Sequence, residues 1–183
     1  MSKIAVSSPA SGTATYTISA PAGSTDRTLT LPDNTGTILT TATAGVPVNG
    51  PAFGAYANTN GSAVASNTFT KVIFGVEAWD TNSCFASSRF TPTVAGYYQL
   101  NSCVQLGSVF NGFIAIFKNG ADYKRGMWTT TAGLQEATVS AIVDANGSTD
   151  YFEIYIYQSV AGNIPQGIAS VTYFDGAMLR SAT

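Results

Sequence analysis

Phe113-Ile114-Ala115-Ile116-Phe117-Lys118-Asn119-Gly120 runs apolar for five residues and then stops at a tight-turn dipeptide. Asn-Gly suits a two-residue hairpin, because both central positions need positive φ, so the stretch reads as a strand entering a hairpin. Outward from it the texture repeats. Strands are expected over 53–56, 68–74, 89–90, 96–106, 113–118, 134–143, 151–157 and 169–179, with a second turn at Asp144-Ala145-Asn146-Gly147. No stretch repeats its apolar residues every 3.6 positions. Eight or so short strands with regular turns predict an all-β fold, an antiparallel β-sandwich of the jelly-roll kind.

Two of these strands carry more information. One face of a sandwich strand meets the core and the other normally meets water. Yet 113–117 is apolar on both faces, and Tyr151-Phe152-Glu153-Ile154-Tyr155-Ile156-Tyr157 sets Phe152, Ile154 and Ile156 against Tyr155 and Tyr157. Tyrosine suits half-buried interfaces, with an apolar ring and a polar hydroxyl. The expectation is a subunit interface carrying Ile114, Ile116, Tyr155 and Tyr157. The alternative is aromatic side chains exposed under a loop.

Composition narrows the function classes. The chain has 183 residues, 45% of them hydrophobic, and only 10% are charged, against roughly 25% in ordinary domains. Such a surface suits a protein that packs against copies of itself. The net charge is −2, with eight scattered basic residues; nucleic-acid binding needs a basic stripe, which is missing. No stretch approaches the ~20 apolar residues of a membrane-spanning helix. The N-terminus, Met1-Ser2-Lys3-Ile4-Ala5-Val6-Ser7-Ser8-Pro9, lacks the apolar run of a secretory signal. Synthesis in a cytoplasm and exit by another route, such as virion release, are expected. There is no histidine, which removes Ser-His-Asp triads, Cys-His dyads and most zinc sites. Cys84 and Cys103 are too few for a disulfide framework; two reduced thiols or one bridge are both open.

The first part of the chain differs from the rest. Five of the seven prolines fall at or before Pro51. Short alternating runs occur at Thr13-Ala14-Thr15-Tyr16-Thr17-Ile18-Ser19, Arg27-Thr28-Leu29-Thr30-Leu31 and Gly36-Thr37-Ile38-Leu39-Thr40. So few apolar residues cannot build an independent core. These are either strands of a short shaft that three copies wind together, or a flexible tail. Residues 41–51 read as a linker. The expected organisation is an anchor or shaft over 1–47 and a globular head over 48–183.

Within the head, Phe74, Asp80, Phe85, Phe90, Gly96, Tyr98 and Leu100 are spaced in a way that resembles the signature of the complement-1q globular head, which shares its jelly roll with tumour necrosis factor. Ile116-Phe117-Lys118-Asn119-Gly120, Gly147-Ser148-Thr149-Asp150 and Phe174-Asp175-Gly176-Ala177-Met178-Leu179 resemble later strands and loops of that family. The likeness spans 51–180. It departs from the family where Phe85 and Phe90 stand two residues closer and where Leu100 and Ser102 replace aromatics. Each residue also has a packing reason: Phe90, Tyr98 and Leu100 would face one core, and Gly96 would permit a tight entry turn. The resemblance implies a homotrimer. Separately, Thr28-Leu29-Thr30-Leu31-Pro32-Asp33-Asn34-Thr35-Gly36-Thr37-Ile38-Leu39 resembles segments frequent in phage tail-fibre proteins, which implies a bacteriophage virion component.

No active site is legible. Glu77 and Asp80 are near neighbours on an expected loop, and Asp144 and Asp150 flank a turn, but a glycosidase needs a carboxylate pair across a cleft. No Gly-rich phosphate loop links a strand to a helix. No enzyme activity and no obligatory cofactor are expected. Some relatives of the family hold calcium, for which Asp80, Asn82, Asp144 or Asp150 would serve chemically; solvated turn residues are the alternative, and no metal ligand is assigned. Ligand binding is expected at Trp79, Asp80, Asn82 and Trp128, because an aromatic face beside carboxylate or amide groups suits a sugar. Each Trp could instead cap the sandwich or fill the interface. The resulting expectation is a trimeric phage appendage that works outside the host cell. Its head would bind a host-surface glycan, and the N-terminal segment would hold other virion proteins. The alternative is a capsid or neck decoration protein with a structural role.

Overall fold

A computed structural model describes residues 50–162 and 165–182. The three expected N-terminal strands and the boundary at residue 47 lie outside the described residues. The rest is all-β: β1 (Ala52–Tyr56), β2 (Thr70–Lys71), β3 (Val76–Asp80), β4 (Phe85–Ala86), β5 (Arg89–Phe90), β6 (Ala95–Leu106), β7 (Phe110–Lys118), β8 (Ala121–Arg125), β9 (Thr129–Thr131), β10 (Gln135–Asn146), β11 (Phe152–Gln158) and β12 (Tyr173–Ser181).

Two antiparallel sheets form. One has five strands in the order β10-β6-β12-β1-β3; the other has seven, β4-β5-β11-β7-β8 with β2 on β11 and β9 on β7. From β9 onward successive strands switch sheets, which is the jelly-roll arrangement expected from the sequence. β6 and β10 pair along their whole length, from Ala95↔Asn146 to Leu106↔Gln135. The Asn119-Gly120 hairpin is present, with φ of 54° and 79° at the two central residues.

The core lies between the sheets and is aromatic at one end. Phe53 stacks on Phe90 (4.4 Å) and Phe85 (4.9 Å) and meets Phe174 edge-on (4.8 Å). Phe90, Tyr98 and Leu100 are all fully buried and share this core, as expected. Fully burying one such side chain contributes about 1.5–3 kcal/mol. The Tyr98 hydroxyl donates to the Val94 carbonyl (2.6 Å). Burial, with a smaller contribution from Cys84, pushes its pKa up to about 12. Gly96 sits inside β6 rather than in a turn. A Cβ there would run into the Arg180 carbonyl, so it is close strand packing that requires glycine.

Four strands escaped the sequence reading. β8 is exposed along its whole length and so has no apolar alternation. β3 is an edge strand with acidic residues, and β4 and β9 are two and three residues long. Conversely, of the expected strand 68–74 only Thr70–Lys71 forms a strand on β11, with the Val72 N–H adding one bond to the Ile154 carbonyl (2.9 Å). The last strand begins at Tyr173 rather than 169, because Val171 and Thr172 N–H groups turn back onto the Ile168 carbonyl.

The register of β7 on β11 corrects one expectation. Ile114 pairs with Ile156 and Ile116 with Ile154, and all four are fully buried in the inter-sheet core. Ile114 and Ile116 therefore do not share a face with Tyr155 and Tyr157. That outer face belongs to Phe113, Ala115 and Phe117, the residues of opposite parity, with Tyr157 opposite Phe113 and Tyr155 opposite Ala115. Nor does it wait for a partner. The chain's own Phe69 packs on Phe117 (4.9 Å) and Phe113 (6.0 Å), Tyr155 stacks on Phe117 (4.0 Å), and Trp128 meets Phe113 (5.4 Å).

Candidate functional site

The expected ligand residues fall on opposite sides of the sandwich. Trp79 lies in β3, not in a loop, half-exposed on the outward face of the five-stranded sheet. Its indole covers Gly54 of the neighbouring strand, where any Cβ would collide with the ring. Asp80 is not its partner, since adjacent strand residues point to opposite faces. The Asp80 carboxylate instead accepts the Phe85 N–H (2.6 Å) and the Asn82 N–H (3.1 Å), and the Asn82 side-chain oxygen accepts the Thr81 hydroxyl (2.9 Å). Asp80 and Asn82 thus shape the turn into β4.

The polar groups beside Trp79 come from other strands. Gln99 Nε2 donates to Ser140 Oγ (2.9 Å) and Asn101 Oδ1 (3.1 Å), and Asn101 Nδ2 donates to Asp175 Oδ1 (3.0 Å). Two shallow hollows of about 130 and 160 Å³ flank the indole; Asp175 lines both. Farther along the same face stand Tyr97 and Ile142, 50% and 56% exposed. Period-2 alternation against the buried Tyr98 and Leu100 was the signal that could have placed Gln99 and Asn101 here.

Trp128 stands in the connection between β8 and β9, over the outer face of the seven-stranded sheet. Its indole N–H donates to Asn111 Oδ1 (2.7 Å), which also accepts the Thr130 hydroxyl (2.9 Å). The ring packs near Phe113 (5.4 Å) and Tyr157 (6.0 Å), and the Tyr157 hydroxyl donates to Asn67 Oδ1 (3.1 Å). The Arg125 guanidinium lies 5.0 Å from the Phe113 ring and is paired with Asp122. The result is an aromatic platform edged by amides and one cation, with Trp128 half-exposed and Met127 80% exposed beside it. Asn111 was missed because an isolated Asn inside an apolar strand carries no local sign of its distant partner.

Two ionic clusters lie elsewhere among the described residues. Lys118 Nζ reaches Asp144 (2.8 Å) and Asp150 (3.1 Å). The Asp144 carboxyl is held below its ordinary range by hydrogen bonds from Lys118 and then Tyr123, and Asp150 by Asn119 and then Lys118. An ammonium stands where these two carboxylates converge, and no group of three His, Cys, Asp or Glu able to hold a metal occurs among the described residues. The second cluster centres on Glu153, which Lys71 and Arg89 share. Cys84 and Cys103 are buried and unbridged. Burial, aided by Glu136, pushes the Cys103 thiol up to about 11.

No protein-family model and no curated protein matches the chain. Its fold does match solved structures. Murine APRIL at pH 5.0 aligns over 72% of this chain and all of that one, with 11% identity and a TM-score of 0.54. The globular domain of zebrafish complement 1qA aligns over 72% and 99%, with 13% identity and a TM-score of 0.53. The Eiger TNF of S. frugiperda aligns over 74% and 96%, with 8% identity and a TM-score of 0.55. The jelly roll is therefore that of the tumour-necrosis-factor and complement-1q globular domains.

Proposed function

We propose that this chain is a non-catalytic binding head that works as a homotrimer on a bacteriophage virion, most simply a tail fibre or similar appendage. The observation that carries the self-association is the outward face of the five-stranded sheet. Trp79, Tyr97 and Ile142 stand exposed there in a chain with only 10% charged residues. The rival face, around Phe113, Ala115 and Phe117, is already covered at 4%, 0% and 7% exposure in a single chain. The interface expected there moves to the other sheet, and a second copy is its occupant. The fold shared with complement-1q-like heads supports this reading, and the tail-fibre-like segment 28–39 supports the virion setting.

Association through the five-stranded sheet leaves the Trp128 platform outside, on the opposite sheet. It is the surface we assign to the host ligand, a glycan: the ring faces cover C–H groups while Asn111 and Asn67 hold hydroxyls. Light scattering of the purified chain tests the assembly. A native mass of about 57 kDa, three times 19.0 kDa, is expected, and a monomer would end the trimer reading. Trp128→Ala tests the ligand: the trimer should persist while host-cell binding weakens, and binding equal to the parent's would remove the platform from consideration.

A further inference from the structure

An open cleft of about 410 Å³ lies beside β2, β4 and β5, with Lys71, Ser83, Ala86, Ser87, Arg89 and Thr91 in its wall. Among the described residues, two cations and no carboxylate line it. Beneath them lies Glu153, its side chain 3% exposed, whose Oε1 accepts Lys71 Nζ (2.6 Å) and Arg89 Nε (2.9 Å). Two positive charges face one negative charge, so the cleft keeps a net positive charge. Donors are left over as well. Lys71 gives one further bond to the Ser87 carbonyl (2.9 Å). Arg89 uses only Nε on protein, among the described residues, and its guanidinium carbon lies 3.8 Å from the centre of the Tyr151 ring. The terminal N–H pair of a guanidinium is a fork matched to two oxygens of one anion.

The backbone around the cleft adds a second observation. Ser83, Ser87 and Ser88 all have positive φ (52°, 52° and 57°), a conformation that side chains other than Gly, Asn and Asp rarely adopt. Ser87 and Ser88 occupy the hairpin positions that this chain elsewhere gives to Asn119 and Gly120. Ser88 has a structural reason, since its buried hydroxyl accepts the Phe74 N–H (2.8 Å). The two-residue hairpin accounts for the Ser87 backbone, but neither the Ser83 nor the Ser87 hydroxyl has a protein partner among the described residues, and both line the cleft. Their hydroxyls remain to donate to a ligand beside the two cations.

We propose that this cleft binds an anionic group, a carboxylate, phosphate or sulfate, of a small ligand. The Arg89 fork takes two oxygens, Lys71 supplies charge, and the Ser83, Ser87 and Thr91 hydroxyls donate to the rest. The site stands independently of trimer formation and of the Trp128 platform. Titration calorimetry of the full chain at low salt with sodium glucuronate, inorganic phosphate and glucose tests it. Saturable binding of glucuronate or phosphate, at least tenfold tighter than glucose, is expected. Tighter glucuronate identifies an acidic sugar as the source, and phosphate alone identifies a free oxyanion. Ser87→Asp places a charge in the cleft with a residue that tolerates positive φ, and should weaken anion binding at least tenfold with an unchanged Tm. Ala86→Glu does the same from an exposed strand position and leaves the hairpin intact. Anions binding no better than glucose, or both variants binding like the parent, would overturn the proposal.

Discussion

The two sheets treat their outward faces in opposite ways. On the seven-stranded sheet Phe113, Ala115 and Phe117 present an apolar row, and the chain closes it with Phe69, Tyr155, Tyr157 and Trp128. On the five-stranded sheet a polar network of Gln99, Asn101, Ser140 and Asp175 runs between Trp79 on one side and Tyr97 and Ile142 on the other. A strand apolar on both faces thus does not demand a second molecule. Flanking loops and long side chains can cover it, while Tyr97 and Ile142 stand uncovered on a face whose strands alternate regularly.

The contrast can be broken in several ways. The largest effect is expected in the core that both sheets share. Phe90→Ala removes a fully buried ring and should cost about 3–5 kcal/mol; urea unfolding like the parent's would contradict the core assignment. Next comes the self-covered face. Phe117→Ala should cost about 3 kcal/mol without changing the native mass, because its cover is intramolecular; a shift of the mass would return the interface to this sheet.

Glu153 gives a smaller effect with a pH signature. Burial alone would raise its pKa, but hydrogen bonds from Lys71 and Arg89 outweigh it and hold the carboxyl below its ordinary 4.5. Its folded value is below the unfolded one, so the stabilisation is present above pH 4.5 and is lost as the pH falls through the lower folded value. Glu153→Gln should therefore cost about 1–3 kcal/mol at pH 7 and converge on the parent in acid. A constant difference across a pH series of denaturant melts would show that the pairing is not the cause. The smallest change in intrinsic stability belongs to the exposed face: Ile142→Ser should move unfolding of the dissociated chain by no more than about 0.5 kcal/mol. It should nevertheless shift the native mass from about 57 kDa toward 19.0 kDa.

Much of this was legible beforehand. The all-β class, the sandwich, the Asn119-Gly120 hairpin and the burial of Phe90, Tyr98 and Leu100 followed from alternation and turn chemistry. The candidate sites were far less so. Trp79 and Asp80 are neighbours in the chain but face opposite ways, and the groups that do flank Trp79, including Asn101 and Asp175, come from other strands. Ile114 and Ile116 lie on the opposite face from the expected one because a continuous apolar run carries no parity of its own; only pairing with Ile156 and Ile154 supplies it.

The sequence by itself determined what is local: strand-forming runs, the turns between them, the scarcity of charge and the absence of histidine. Periodicity and composition act over a few residues, so they can be read without a fold. The tertiary structure alone decided which face of β7 meets the core and which strands bring polar groups to Trp79. It alone gathered Lys71, Arg89 and Glu153 from separate strands around one cleft. Those outcomes depend on register and on pairings across many residues of chain, where a shift by a single position turns every side chain to the other face.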